Sequence, residues 1–212
     1  MTRIDSYSRA SAQKAIEHHY DIGNEFYALW LDDSMSYSCA MWPTEERHGG
    51  LEHAQLQKLD YHISESRAAQ SMRVLDIGCG WGGLFKRLIQ KNTGLKSAVG
   101  LTLSSQQLSY VQAMNLPNVE VRLENWLDHY PDAPYDAMVS IGAFEHFSSP
   151  SDSEKERRLK YRKFFEFTKN NLVKNGRLSL QTIAYLNMER DDASEFMKNE
   201  IFPNSELPTL TD

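Results

Sequence analysis

The rhythm of apolar positions changes near residue 70. Before it, short stretches follow helical spacing and no convincing strand occurs. AQKAIEHHY (12–20) and NEFYALWL (24–31) are amphipathic runs separated by the Asp21-Ile22-Gly23 break. A longer pattern, LEHAQLQKLDYHISESRAA (51–69), sets Leu51, Leu59 and Ile63 at helical spacing with polar residues between them. Beyond Gln70, strand and helix patterns alternate. RVLDI (73–77), SAVGL (97–101), VEVRL (119–123), YDAMVSI (135–141) and RLSLQTI (177–183) read as strands. GLFKRLIQK, SSQQLSYVQAM and EKERRLKYRKFFEFTKNNL read as helices between them. Such alternation predicts βαβ units, and therefore an α/β fold with a parallel sheet and right-handed crossovers. SSPSDS (148–153) is expected to be a surface loop opening a helix.

Length and composition narrow the class. A chain of 212 residues suits one domain, here expected as a helical cap (1–70) on an α/β core (71–212). Its formal net charge of −6 argues against general nucleic-acid binding, which needs clustered Lys and Arg. No apolar run approaches bilayer length, and MTRIDSYSRA lacks the hydrophobic segment of a signal peptide. Two separated cysteines, Cys39 and Cys79, fit a reducing cytosol better than a disulfide framework or a zinc site, so a cytoplasmic protein without a metal is expected.

The strongest chemical signal is VLDIGCGWGG (74–83). A buried strand ends at Asp76 and enters a glycine-rich turn that opens a helix. Gly78 and Gly80 remove Cβ atoms where a ligand approaches the backbone. The helix N-terminus offers free N–H groups to a carboxylate or phosphate, and Asp76 can favour a cation or an amino group. An amino acid bearing a sulfonium satisfies all of these groups. A nicotinamide dinucleotide fits less well: its fingerprint is G-x-G-x-x-G with an acid closing the second strand. Here the spacing is G-x-G-x-G-G, and Gly100-Leu101-Thr102 closes that strand.

Five strings then occur in order: HYDIGNEFYALWLDDSMSYSCAMW (19–42), VLDIGCGWGG (74–83), GLTLSSQQ (100–107), SIGAFEHF (140–147) and EIFPNSELPTL (200–210). On these the chain resembles the cyclopropane-fatty-acid synthase and mycolic acid cyclopropane synthase family. The resemblance implies a Rossmann-like class I methyltransferase sheet of order 3-2-1-4-5 under a helical N-terminal lid, with S-adenosylmethionine as cofactor. By the same resemblance Tyr37 and Ser38 close over the cofactor, and Asp76, Gly78, Gly80 and Gly82 line its methionine and ribose. Thr102, Leu103 and Gln107 hold the ribose side, while Trp126 and Leu127 lie beside adenine. Cys39, Ile141, Glu145 and His146 correspond to groups that surround a bicarbonate ion in the family. The chemistry explains such an ion: methyl transfer to an alkene leaves a carbocation, and a base must then remove a proton.

The implied reaction is carbon methylation of an alkene in a lipid acyl chain or an isoprenoid- or polyketide-like molecule. Alternatives on the same scaffold are N- or O-methylation of a small metabolite, and an inactive cofactor-binding fragment. The family normally continues past LPTL with further strands and helices. A fragment, one piece of a split enzyme or a shortened relative is therefore expected. Its fifth strand would form an edge that favours a homodimer or a complementary C-terminal piece. Residues 151–174 carry eight Lys or Arg against four Asp or Glu, which suits either a peripheral contact with anionic lipid or a solvated helix face.

Overall fold

The computed structural model describes residues 23–42, 49–201 and 205–212. The AQKAIEHHY run and the first four residues of the 19–42 string lie outside the described residues. Five strands build one parallel sheet: β1 (Arg73–Ile77), β2 (Ser97–Thr102), β3 (Val119–Leu123), β4 (Tyr135–Ile141) and β5 (Leu172–Gln181). Their order is β3-β2-β1-β4-β5, as the resemblance implied. β1 is central, and the chain crosses to β2 on one side and to β4 on the other. The carboxyl ends of these strands therefore frame a crevice where α/β folds bind ligands.

Helices cover both faces: α1 (Asn24–Ala28), α2 (Gly50–Glu65), α3 (Gly83–Lys91), α4 (Ser105–Ala113) and α5 (Glu154–Asn171). Side-chain alternation along the strands divides the core in two. Val74, Ala98, Val121 and Val139 meet Leu59, Ile63, Phe85 and Leu88 on the face covered by α2 and α3. Leu75, Ile77, Val99, Leu101 and Met138 meet Phe144, Tyr161 and Phe164 on the other.

Two expectations from the pattern are corrected. β5 begins at Leu172, five residues before the predicted RLSLQTI strand, and ends at Gln181. Its early part passes Asn175 in the left-handed region (φ 67°) and absorbs a register shift between Tyr135 and Ala137. The Asn175-Gly176 pair thus reads as a turn in sequence while lying within the strand. At the far end the Ile183 N–H donates to Glu145 Oε1 at 2.7 Å, so its backbone serves a side chain instead of extending the ladder. The other correction concerns α2. Leu59 and Ile63 are buried, but Leu51 is 44% exposed, and the inward face is completed by Gln55, Lys58 and His62.

The SSPSDS stretch ends as expected in a helix start. Ser153 caps α5 in a capping box, its Oγ accepting from Glu156 N while Glu156 Oε2 accepts from Ser153 N at 2.9 Å. Within the basic helix Arg157 pairs with Asp212, Arg158 with Glu154 and Lys160 with Asp152. No described helix is long and apolar enough to cross a membrane. Ser153→Ala removes one capping acceptor and is expected to cost about 1 kcal/mol in urea unfolding, with the α/β fold unchanged by circular dichroism.

Candidate active site

The turn after β1 is pinned from β2. The N–H groups of Gly78 and Cys79 both donate to the Leu101 carbonyl, at 2.9 and 3.0 Å. Gly78 sits at φ 83°, and a Cβ there would meet Ala143 Cβ at 2.5 Å. Gly80 is also left-handed (φ 53°), but its missing Cβ would meet open space. Asp76, Gly78, Cys79, Gly80 and Trp81 line a cavity of about 160 Å³ at the carboxyl end of the sheet. Gly82 has a different place. It caps α3 at φ 78° and turns towards Val111 of α4, outside the cavity lining.

Residues 31–42, which fall within the expected lid, border this cavity on one side through Met35, Ser36, Tyr37 and Ser38. Asp32 shapes this segment: its carboxylate accepts from Ser34 N at 3.0 Å and Ser36 N at 3.2 Å. Tyr27 and Met35 pack on Trp81, whose Nε1 donates to Asn24 Oδ1 at 2.7 Å. The lid lies against α3 so closely that a Cβ on Gly83 would come within 2.5 Å of the Ser34 carbonyl oxygen. Tyr37 and Ser38 thereby reach the cavity wall.

On the β2 side, Thr102 Oγ1 donates to Gln107 Oε1 at 2.6 Å, which leaves the amide's N–H donors for another partner. Leu103 lines the wall beside them. Asn125 accepts from Leu127 N at 3.0 Å and turns Trp126 and Leu127 onto the cavity. Trp126 also belongs to the core, its ring 5.2 Å from Phe147 and 5.4 Å from Phe164. Both the packing role and the lining role hold for this residue.

A second cavity, of about 720 Å³, adjoins the first, and its volume is typical of sites for drug-sized ligands. Ser36, Tyr37, Ser38, Gly142 and His146 line both, so the two share a wall. Cys39 and Glu145 face the second cavity and Ile141 the first. Glu145 is buried; its Oε1 accepts from Ile183 N at 2.7 Å, and the Thr182 side chain also steadies the carboxyl. Burial raises its carboxyl above the ordinary range. His146 Nδ1 lies 2.8 Å from Ser205 Oγ. Cys39 is exposed, and its carbonyl accepts from Gln181 Nε2 at 3.3 Å.

The profile of the mycolic acid cyclopropane synthetase family matches residues 7–212. The chain belongs to that family. Cyclopropane mycolic acid synthase 3 of Mycobacterium tuberculosis is 35% identical over 212 residues, covering 92% of this chain and 69% of its own length. The mycolic acid cyclopropane synthase CmaA1, solved with SAH and CTAB, superimposes with a TM-score of 0.79 at 31% identity, over 94% of this chain and 70% of that one. Coclaurine N-methyltransferase, solved with N-methylheliamine and SAH, gives a TM-score of 0.67 at 25% identity, over 99% of this chain and 62% of that one. Our protein is thus an S-adenosylmethionine-dependent methyltransferase of the cyclopropane mycolic acid synthase family.

For this methyltransferase the first cavity offers groups that fit each part of the cofactor: Asp76 for an ammonium, Thr102 and Gln107 for hydroxyls, Leu103, Trp126 and Leu127 for a flat apolar ring, and the open space beside Gly80 for close approach. The sequence reading missed Asn125, Gly142, Ala143 and above all Lys58, which also line it. Gly142 and Ala143 lie within SIGAFEHF, so the string itself carried that signal. Lys58 sits on the inward face of α2, one turn from Gln55 and from His62. Burial drives the Asp76 carboxyl up to about 7 against the pull of Lys58. The ligand-free folded state therefore keeps a proton that the unfolded chain loses near 3.8, and the stability Asp76 contributes below that pH is lost as pH rises to about 7. Asp76→Asn should gain on the native protein across that window in urea titrations; a constant difference would mean that Asp76 ionises alike in both states.

Proposed function

We propose that the first cavity holds S-adenosylmethionine and the second takes an apolar, alkene-bearing acceptor, such as a lipid acyl chain or an isoprenoid- or polyketide-like molecule. The shared wall carries this reading. A contiguous pair of sites, one carrying charged and hydroxyl groups on a mostly apolar wall and one almost wholly apolar, lets a methyl group pass directly between two molecules. The cyclopropane mycolic acid synthase names of the relatives support the acceptor class. Residues up to about 70 act as the lid and 71–212 as the cofactor-binding core.

When bound, the cofactor supplies an electrophilic methyl group on a sulfonium. The chain's own residues do the rest. Tyr37, Ser38 and Gly142 separate the two molecules and exclude solvent. Asp76, Gly78 and Gly80 receive the amino-acid end, with Thr102, Leu103 and Gln107 on the ribose and Trp126 and Leu127 on the adenine. Glu145, which lines the second cavity with a carboxyl that burial keeps above the ordinary range, accepts the proton released from the acceptor carbon. Its Oε1 is anchored by the Ile183 N–H, which fixes the orientation of the carboxylate. His146, braced by Ser205, and the Cys39 and Ile141 positions complete this corner.

Bicarbonate, implied by the family resemblance, is a different carrier for the same proton. The described cations lining the second cavity, Arg190 and Lys198, are each paired with a carboxylate, Glu206 at 3.0 Å and Glu195 at 2.7 Å. We therefore assign the base to Glu145 itself. N-methylation is the second reading, favoured by the likeness to coclaurine N-methyltransferase over almost the whole chain.

Glu145→Gln keeps the size and the Ile183 contact but loses basicity. It should lower turnover by about 10²–10⁴ with SAH affinity unchanged by calorimetry. Native turnover in a variant that binds SAH normally would remove Glu145 as base and favour transfer by proximity to a nitrogen or oxygen.

A further inference from the structure

Lys58 is an unusual occupant of a helix face that packs inward. It is 2% exposed, and its Nζ donates to Ser38 Oγ of the lid at 2.7 Å. An ammonium carries three donors, and among the described residues this is its one hydrogen bond. No described carboxylate lies within ion-pair distance of it. Burial lowers the Lys58 ammonium to about 8 against the longer-range pull of Asp32 and Asp76, so an anionic group from outside the chain is the natural complement. Its helix neighbours do not share the load. Gln55 Nε2 donates to the Ser36 and Ser38 carbonyls at 3.2 and 2.9 Å. His62 lies between Ser179 Oγ and Gln181 Oε1, and burial holds its imidazole below the ordinary range.

The charges around the first cavity give the complement its chemistry. Among the described residues Lys58 is the one lysine or arginine that lines it, and Asp76 and Glu124 are the acids. With those three ionised, the lining sums to one negative charge. S-adenosylmethionine carries a carboxylate, an ammonium and a sulfonium, which sum to one positive charge. Asp76 leaves the carboxylate unmatched, and Lys58 is the group able to match it.

We propose that Lys58 is a cofactor-positioning residue: its ammonium is the counter-ion of the carboxylate at the amino-acid end, and through Ser38 it couples that end to the closed lid. This inference rests on the first cavity being the cofactor site. It gives the lid a reason to order around the cofactor, since one ammonium serves both.

The test is calorimetric. Native protein, Lys58→Met and Lys58→Gln are titrated with SAH and with 5′-methylthioadenosine, which keeps the nucleoside and the thioether but lacks the amino-acid end. Methionine fills the space of a buried lysine without its charge, and circular dichroism checks that the variant stays folded. Glutamine can still donate to Ser38, so it rescues a merely structural role. Loss of a charge-assisted hydrogen bond predicts about 10- to 100-fold weaker SAH binding in both variants, with methylthioadenosine unchanged. Equal weakening of both ligands, or native SAH affinity in Lys58→Gln, overturns the proposal. Native protein that binds neither ligand overturns the cofactor-site reading, and this inference with it.

Discussion

One acceptor, the Leu101 carbonyl, sets the geometry of the cofactor turn. It takes the N–H groups of both Gly78 and Cys79, so the chain leaving β1 is held against the end of β2 instead of following its own direction. Two consequences follow from that pair of hydrogen bonds. Gly78 is forced into the left-handed region, against Ala143 of the loop after β4, where a side chain would collide. Thr102, the residue after Leu101, is brought beside the turn with Gln107 in its grasp. Parts of the site that are far apart in sequence thus meet because two strand ends are tied at one carbonyl and the loop after β4 packs against the turn they make. The same constraint places the N-terminus of α3 under the lid, where Gly83 allows the Ser34 carbonyl to approach.

The lid depends on a second polar system, carried by α2. Gln55, Lys58 and His62 form a ladder along the inward face, reaching Ser36 and Ser38 of the lid and Ser179 and Gln181 of β5. Gln181 in turn holds the Cys39 carbonyl. Polar groups on a buried face need partners, and the paired ones here find theirs on two walls around the cavities, while Gln55 Oε1 has none among the described residues. The segment that separates the two cavities is therefore fixed by hydrogen bonds, while the second cavity beyond it is mostly apolar.

Much of this was legible in the sequence. Strands alternating with helices announced the parallel sheet, and the 74–83 and 140–147 strings located both sides of the crevice. What escaped were places where tertiary contact overrides the local pattern. Leu51 stood in the expected apolar stripe of α2, yet the buried stripe is partly Gln, Lys and His because the helix faces polar walls as well as the core. Lys58 escaped for the same reason, since a lysine between polar neighbours reads as a solvated position. Gly82 looked like its neighbours Gly78 and Gly80, but its spacing places it at the helix cap, packed towards Val111. The start of β5 was hidden by Asn175-Gly176, a turn signal that the bulge accommodates within the strand.

The chemistry then reduces to a division between two cavities with one wall. The first carries the charged and hydroxyl groups that we assign to the cofactor, and the second, mostly apolar, is lined by Glu145, to which we assign the proton. Product analysis tests that division most directly. The protein is incubated with deuteromethyl S-adenosylmethionine and a panel of unsaturated acyl chains and isoprenoids, alongside amine and hydroxyl acceptors, and the products are read by mass spectrometry. The account predicts deuterium bound to carbon at the former double bond of an apolar acceptor. Deuterium on nitrogen or oxygen alone, from a protein shown to bind SAH, would contradict it.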